Sequence, residues 1–240
     1  MRFESDRETG LMPGFLQEAE DAIFAGRDFA RRLARSNLVV GSSAMMRKTS
    51  LDKVGLHPLD MPFAADWYMW ALLALHGDVG YIAEPLVNYR WHPQNMTQAH
   101  QANRIAMEDE IRLRWRIRQK AREAGAEDVT RAFEDALVVN YATRLAEKRD
   151  RDWTQGLTME EFDRSLDTHA ADAAERAMIR RRVLRILADC FSFLGKRHHA
   201  AGDLARARRC YGWAIQQNPA KLKTLARWLW LTASGTTKQR

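Results

Sequence analysis

Asp66 precedes Trp67 at the head of an apolar stretch, Trp67-Tyr68-Met69-Trp70-Ala71-Leu72-Leu73-Ala74-Leu75, which closes on His76-Gly77. A carboxylate in that position suits two tasks. It can cap the first N–H groups of a helix. It can also serve as a general base, because it is ionised at neutral pH and accepts a hydrogen bond from an incoming hydroxyl. The helix dipole would favour its charged form. Residue chemistry alone leaves the two uses equal. Further along, the segment Leu86–His92 predicts a strand in which Val87, Tyr89 and Trp91 share one face and Asn88, Arg90 and His92 the other. Arg90 could bind phosphate oxygens in a fork. His92 could meet a metal-diphosphate or a sugar hydroxyl, or the polar face could simply meet water. Asn95 and Thr97 would then only shape the turn. Gly41, Ser42 and Ser43 fit close approach of a ligand to the backbone, or equally a tightly packed neighbouring helix. Arg47 and Lys48 could reach a substrate or mark an exposed strand end.

These pieces have an order: N-L-V-V-G-S-S-A-M-M-R-K from Asn37, then L-D-K-V-G-L, then A-A-D-W-Y-M-W around Asp66, then Y-I-A-E-P-L-V-N-Y-R-W-H-P-Q-N-M-T from Tyr81. Together they resemble the second half of the catalytic domain of family 2 glycosyltransferases, which have the GT-A fold. The resemblance covers about a quarter of the chain. It implies that Asp66 is the catalytic base, taking the proton of an acceptor hydroxyl as its oxygen attacks the anomeric carbon of a nucleotide sugar, with inversion. It further implies that Ser42, Ser43, Arg47, Trp67, Arg90 and His92 line the substrate site, with His92 near the leaving diphosphate and its metal. The family usually carries an acidic residue where Ala65 stands. A complete enzyme of this kind would hold Mg²⁺ or Mn²⁺. Its partners would be a nucleotide sugar and a glycan or lipid-linked acceptor.

The elements that must position these residues follow from periodicity. Leu38–Met45, Val79–Ala83 and Leu86–His92 read as strands. Asp66–His76 reads as a helix buried on most sides, and Phe15–Ala34 as an amphipathic one. Beyond about residue 98 everything reads as helix, near 98–124, 128–148, 158–168, 172–197, 203–217 and 220–233, with Gly125, Gly156, Gly202 and Pro219 as punctuation. The expected fold is mainly α with a small mixed β-sheet. A truncated GT-A-like remnant (1–97, acceptor side) would precede an α-helical region (98–240), with the boundary in Pro93–Asn103. Within that region Phe191, Leu194, Gly195, His198, Ala207, Tyr211, Ala214 and Pro219 match the offsets of a tetratricopeptide hairpin near 188–221, with His198 at a position usually aromatic. No second copy is evident, so the alternative function is a non-catalytic helical interaction module.

The donor half has no counterpart in this reading. One βαβ unit takes about 30 residues or more, and the 36 residues before Asn37 read as free of strands and of Asp-x-Asp. The chain alone is therefore expected to be inactive, with its open sheet edge covered by the amino-terminal helix or paired by self-association, and docking on a donor-binding domain is a further option.

Charge is unevenly placed. Residues 1–100 hold 10 Lys+Arg against 12 Asp+Glu, and residues 101–240 hold 28 against 19, so the net +7 belongs to the second part. Arg112, Arg114, Arg116 and Arg118, like Arg180, Arg181, Arg182 and Arg185, spread around a helix and make poor groove readers, so nucleic acid is not an expected partner. Leu222–Leu231 mixes Leu222, Leu225, Leu229, Trp228 and Trp230 with Lys221, Lys223 and Arg227. That mixture suits a membrane surface or packing on the preceding hairpin. No apolar run reaches the ~20 residues of a membrane span. Cys190 and Cys210 lie in helical sequence without metal-ligand spacing and read as small core hydrophobes of a reducing compartment. The expected location is the cytoplasm, with contact at the inner membrane face an option.

Overall fold

The computed structural model describes residues 2–4, 7–10, 15–92, 95, 104–151 and 157–236. Nine α-helices dominate among them, so the chain is mainly α, as its periodicity predicts. No described helix is long and apolar enough to cross a membrane. The chain divides into two compact units, Met1–Leu137 and Val138–Arg240.

In the first unit, strands β1 (Arg2–Glu4), β2 (Arg7–Gly10), β3 (Ala22–Phe24), β4 (Val79–Tyr81) and β5 (Tyr89–Trp91) make two small sheets. One has the order β2-β1-β5, with β1 antiparallel to β2 and parallel to β5; the other is the antiparallel pair β3-β4. The helices are α1 (Gly26–Leu33), α2 (Lys48–Val54), α3 (Ala65–His76), α4 (Arg104–Glu123) and the first part of α5 (Glu127–Arg151).

Three sequence expectations change here. Leu38–Met45 is not a strand. The N–H and the Oγ of Ser43 both bond the Val40 carbonyl, at 2.9 and 2.8 Å, and close a 3-10 turn over Gly41–Ser43 instead of joining a ladder. The helix predicted over Phe15–Ala34 is shorter, because Ala22–Phe24 pairs with Val79–Tyr81 and only Gly26–Leu33 is helical. The stretch before Asn37 thus does contain strands. The predicted boundary at Pro93–Asn103 lies outside the described residues except for Asn95, as do Gly156 and Thr97.

The core of this unit joins Phe29, Ala30 and Leu33 of α1 to Trp67, Trp70, Ala71, Leu72 and Ala74 of α3, and to Leu113, Ile117 and Ala121 of α4. Contact between α1 and α3 is close enough to require a glycine. A Cβ on Gly26 would stand 2.2 Å from the Gly77 carbonyl oxygen and 2.3 Å from that of Ala74. The Gly26 N–H also donates to Asp78, at 3.0 Å.

The far end of α1 is held by side chains. Its last carbonyls lack helical partners. The indole N–H of Trp67 donates to Leu33, at 2.8 Å. The Arg114 guanidinium donates to Ala34 and Arg35, at 3.2 and 3.1 Å, and lies over the Trp67 ring at 4.9 Å. Arg114 is 1% exposed. Of the arginines predicted to spread around α4, Arg114 and Arg118 face inward, Arg118 onto Glu134 at 3.0 Å. Arg112 and Arg116 instead reach Asp60, the latter with both nitrogens at 3.0 and 2.6 Å.

The second unit contains the end of α5, then α6 (Met159–His169), α7 (Ala173–Ala200), α8 (Leu204–Gln217) and α9 (Leu222–Thr236). Their starts are written in local chemistry: a capping box Thr158–Glu161, and Asp172 and Asp203 accepting from Glu175 and Arg206 N–H groups at 2.8 and 2.9 Å. Gly125 and Gly202 turn the chain at φ 64° and 79°, which glycine adopts without strain. Helices α7 and α8 approach closely at Gly195, where a Cβ would meet the buried Tyr211 ring at 2.5 Å. Helix α9 buries Thr224 and Leu231 on this pair and leaves Leu222, Leu229 and Trp230 exposed.

Two substitutions test these contacts. Arg114→Met leaves the α1 carbonyls and Glu110 without their charged partner and should cost the first unit about 3–5 kcal/mol, measured by denaturant unfolding and by faster amide exchange in α1. Gly195→Ala gains helix propensity of up to about 1 kcal/mol but overpacks against Tyr211 by about 1–3 kcal/mol. At the full propensity gain the net loss is roughly 0–2 kcal/mol; a net gain of about 1 kcal/mol would show that the helices separate freely.

Candidate functional site

Asp66 occupies the second position of α3, whose N-cap residue, Ala64, has no side-chain bond to give. The two N–H groups just before the first turn are held from α4. Buried Asp109 of α4 accepts from Phe63 and Ala64, at 2.7 and 3.4 Å. Asp66 lies inside the helix and is not its N-cap residue, although it serves one N–H group of the first turn. Its Oδ1 takes the adjacent Trp67 N–H, at 2.6 Å, and its Oδ2 faces the Asn37 amide, at 3.5 Å. Asn37 in turn accepts from the Val39 N–H, at 3.1 Å, which fixes the entry to the 3-10 turn. The backbone of Gly41 passes beside the same carboxylate, where a Cβ would lie 3.5 Å from Oδ2. His57 adds an attractive field.

The carboxylate is half-buried. Loss of water pushes the Asp66 pKa above its ordinary 3.8, a rise opposed by the Trp67 N–H, by Asn37 and by His57. A carboxylate raised by burial in a polar corner accepts a proton more readily than one in water, which suits general-base work.

The other predicted site residues divide into two groups. Ser42 and Ser43 stand exposed on the turn beside Asp66, although the Ser43 hydroxyl is engaged by Val40. Arg47 is exposed immediately before α2. Trp67 is 5% exposed, and its ring and N–H are committed to Arg114 and Leu33. It holds the fold, with no polar atom left for a substrate. Arg90 and His92 are exposed on and just after β5. Neither is among the hydrogen-bonding partners of Asp66, which are Asn37 and Trp67. Asn95 is buried and ties its own turn, accepting from the His92 N–H at 3.2 Å and donating to the Arg90 carbonyl at 3.1 Å. The residues brought to Asp66 are thus Asn37 and Gly41, with His57 within electrostatic reach, and of these sequence reasoning singled out only Gly41.

A hard cation such as Mg²⁺ or Mn²⁺ needs several oxygen ligands. The single grouping of three metal-ligating side chains among the described residues is Asp150, His198 and Cys210, in the second unit, and it does not include His92. His92 itself offers one imidazole, and the oxygen ligands that such a cation needs are not grouped with it among the described residues. Comparison with protein-family models, with curated proteins and with solved structures finds no match.

The Asp150 cluster has its own geometry. Asp150 Oδ1 meets His198 Nε2 at 2.8 Å and accepts from the Cys210 thiol at 3.5 Å. Burial first, then the neighbouring Asp150 charge, push the Cys210 pKa up to about 12. Cys210 is a protonated thiol at neutral pH, unlike an activated nucleophile. Cys190 is also raised, chiefly by burial, and lies 3.9 Å from the Thr143 hydroxyl.

The raised Asp66 pKa has a stability consequence. The unfolded chain releases this proton first, so stability falls as pH rises from 3.8 through the higher folded pKa and stays reduced above it. Asp66→Asn removes that dependence while keeping an acceptor for Trp67 and Asn37. The variant should melt higher than the wild type at neutral pH and lose that advantage as the pH falls to 3.8. Equal melting of both proteins across that range would show that the carboxylate is not strained.

Proposed function

We propose that the first unit is the acceptor side of a glycosyltransferase of the family 2, GT-A type, with Asp66 as general base. One observation carries this reading: Asp66 is a half-buried, raised carboxylate with one oxygen on the Trp67 N–H and the other turned toward Asn37 and the small-residue turn Gly41–Ser43. The acceptor hydroxyl would donate to Asp66 and lose its proton there. Its oxygen would form the new bond to the anomeric carbon from the face opposite the departing nucleoside diphosphate, which inverts that carbon. Ser42, exposed on the turn, would hold a neighbouring hydroxyl of the acceptor. Arg90 and His92 belong by resemblance to the diphosphate side, and Arg47 to the acceptor.

Among the described residues, parallel strand pairing is limited to β1 with β5. Nucleotide sites of open α/β sheets sit at the carboxyl ends of several parallel strands. Transfer therefore calls for a donor-binding domain from outside this chain, and no step is assigned to a metal here.

A second reading rests on the second unit. Close packing of α7 on α8 at Gly195 and Tyr211 agrees with a tetratricopeptide-like hairpin, which would make the chain a helical interaction module. Its exposed Phe193, Leu229 and Trp230 suit contact with a protein or a membrane surface.

Amide-shift mapping separates the two. The purified chain is titrated with soluble oligosaccharides, with polyprenyl-phosphate-linked glycans in micelles, and with nucleotide sugars. Glycan-induced shifts at Asn37, Gly41–Ser43, His57 and Asp66, with no turnover of nucleotide sugar by the chain alone, are expected. Shifts confined to the second unit, or no response to any glycan, would overturn the acceptor reading.

A further inference from the structure

Three helices of the second unit converge on one polar point. Asp150 lies near the end of α5, His198 near the end of α7 and Cys210 within α8, and their ligand atoms all stand within 4.8 Å of one another. The close approach of α7 to α8 builds this point. Gly195 stands one turn before His198, and Tyr211 follows Cys210, so the contact that only glycine permits sets the imidazole opposite the sulfur. Asp150 then reaches both.

We propose that Asp150, His198 and Cys210 form a binding site for one Zn²⁺ ion, with water as the fourth ligand. The donor set is right for it. Zinc takes thiolate, imidazole and carboxylate together, whereas Mg²⁺ and Ca²⁺ require oxygen throughout. The two spacings that Asp150 makes come close to a tetrahedral site. With Zn–N and Zn–O near 2.0 Å and Zn–S near 2.3 Å, tetrahedral ligand atoms stand about 3.3–3.6 Å apart. Asp150 Oδ1 and Cys210 Sγ are already at 3.5 Å, and Asp150 must withdraw from His198 by only about half an ångström from 2.8 Å. The charge balances: one carboxylate and one thiolate neutralise the ion, the imidazole stays neutral, and the thiol proton leaves to water as sulfur takes up the metal. Two arginines of α8, Arg206 and Arg209, lie within electrostatic reach and set a limit on affinity. Water can enter, because the His198 and Asp150 side chains retain 17% and 13% of their exposure, while Cys210 is 1% exposed. One open ligand position is the pattern of a zinc ion that can bind a further group.

A cysteine nucleophile is the competing use of the same residue types. It needs the imidazole to take the sulfur proton. Here sulfur and imidazole both bond the one carboxylate oxygen, so the proton path runs to Asp150 and not to His198.

The site is independent of the reading of the first unit, and so is its test. Untagged, metal-free chain is titrated with Zn²⁺ and with Co²⁺. One equivalent should bind, and the Tm should rise with zinc concentration. The cobalt form should show a sulfur-to-cobalt charge-transfer band in the near ultraviolet and the intense visible bands of a tetrahedral ion. Cys210→Ser should abolish the charge-transfer band, and His198→Gln and Asp150→Asn should each weaken binding by roughly tenfold or more. His76→Gln, at an exposed histidine of the first unit, should change nothing. X-ray absorption of the wild-type zinc protein should show one sulfur among lighter scatterers, a readout that survives if Cys210→Ser fails to fold. Absence of saturable binding, a cobalt spectrum without sulfur ligation, or binding unchanged in His198→Gln would overturn the proposal.

Discussion

The first unit depends on a buried guanidinium. Arg114 is removed from water, which is costly for any cation, and that cost is offset only because its donors meet fixed acceptors: the carbonyls of Ala34, Arg35 and Glu110, with the Trp67 ring against its face. The carbonyls at the end of α1 would otherwise be left bare in the core. One side chain thus satisfies a helix terminus, fixes the distance between α1 and α4, and clamps Trp67. Because Trp67 also donates to Leu33, its ring has little freedom left. The residue before it is Asp66, so the direction of that carboxylate is inherited from a contact that has no chemistry of its own.

Asp109 completes this arrangement. A carboxylate at the start of a helix ordinarily serves its free N–H groups, and Asp66 does so with one oxygen only, on Trp67. Two carboxylates near one helix terminus therefore have separate duties. Asp109, 2% exposed, takes the Phe63 and Ala64 N–H groups. Asp66 keeps one oxygen on Trp67 and turns the other toward Asn37 and the Gly41 backbone. The energetic signature is a carboxyl held protonated to higher pH than usual, the opposite of what a capping role produces.

The helices of the second half were legible because their signals are local. Apolar spacing gives the period, and Thr158, Asp172, Asp203, Gly125 and Gly202 mark the ends through bonds and dihedrals spanning a few residues. The segment Leu38–Met45 misled because its apolar run is short, and short apolar runs do not distinguish a strand from a turn. What decides is whether a ladder partner is available, and here the Val40 carbonyl is taken by Ser43 instead. The pairing of Ala22–Phe24 with Val79–Tyr81 spans more than fifty residues: Val79–Ala83 reads as a strand by itself, whereas Ala22–Phe24 lies inside a helical pattern and leaves no local trace. The arginines of α4 were read correctly as spreading around the helix. Their division into a buried pair and a pair on Asp60 depends on neighbours that the sequence does not place.

Polar groups that matter most in this chain share that character. Arg114 reaches back 80 residues to Ala34, Asp109 reaches 46 to Phe63, and Asp150 reaches 48 to His198 and 60 to Cys210. None follows the short spacings by which metal or catalytic motifs are usually recognised. Cys210 read as a core hydrophobe because its helical surroundings are apolar, and burial at 1% agrees with that half of the expectation. What changes its chemistry is a carboxylate from α5 inserted against the hairpin. A thiol facing only alkyl side chains would be inert, whereas one facing Asp150 and His198 has a polar partner with which to share a soft cation. Residue type set what each group can do; the partners that long-range packing supplied set which of those things it does.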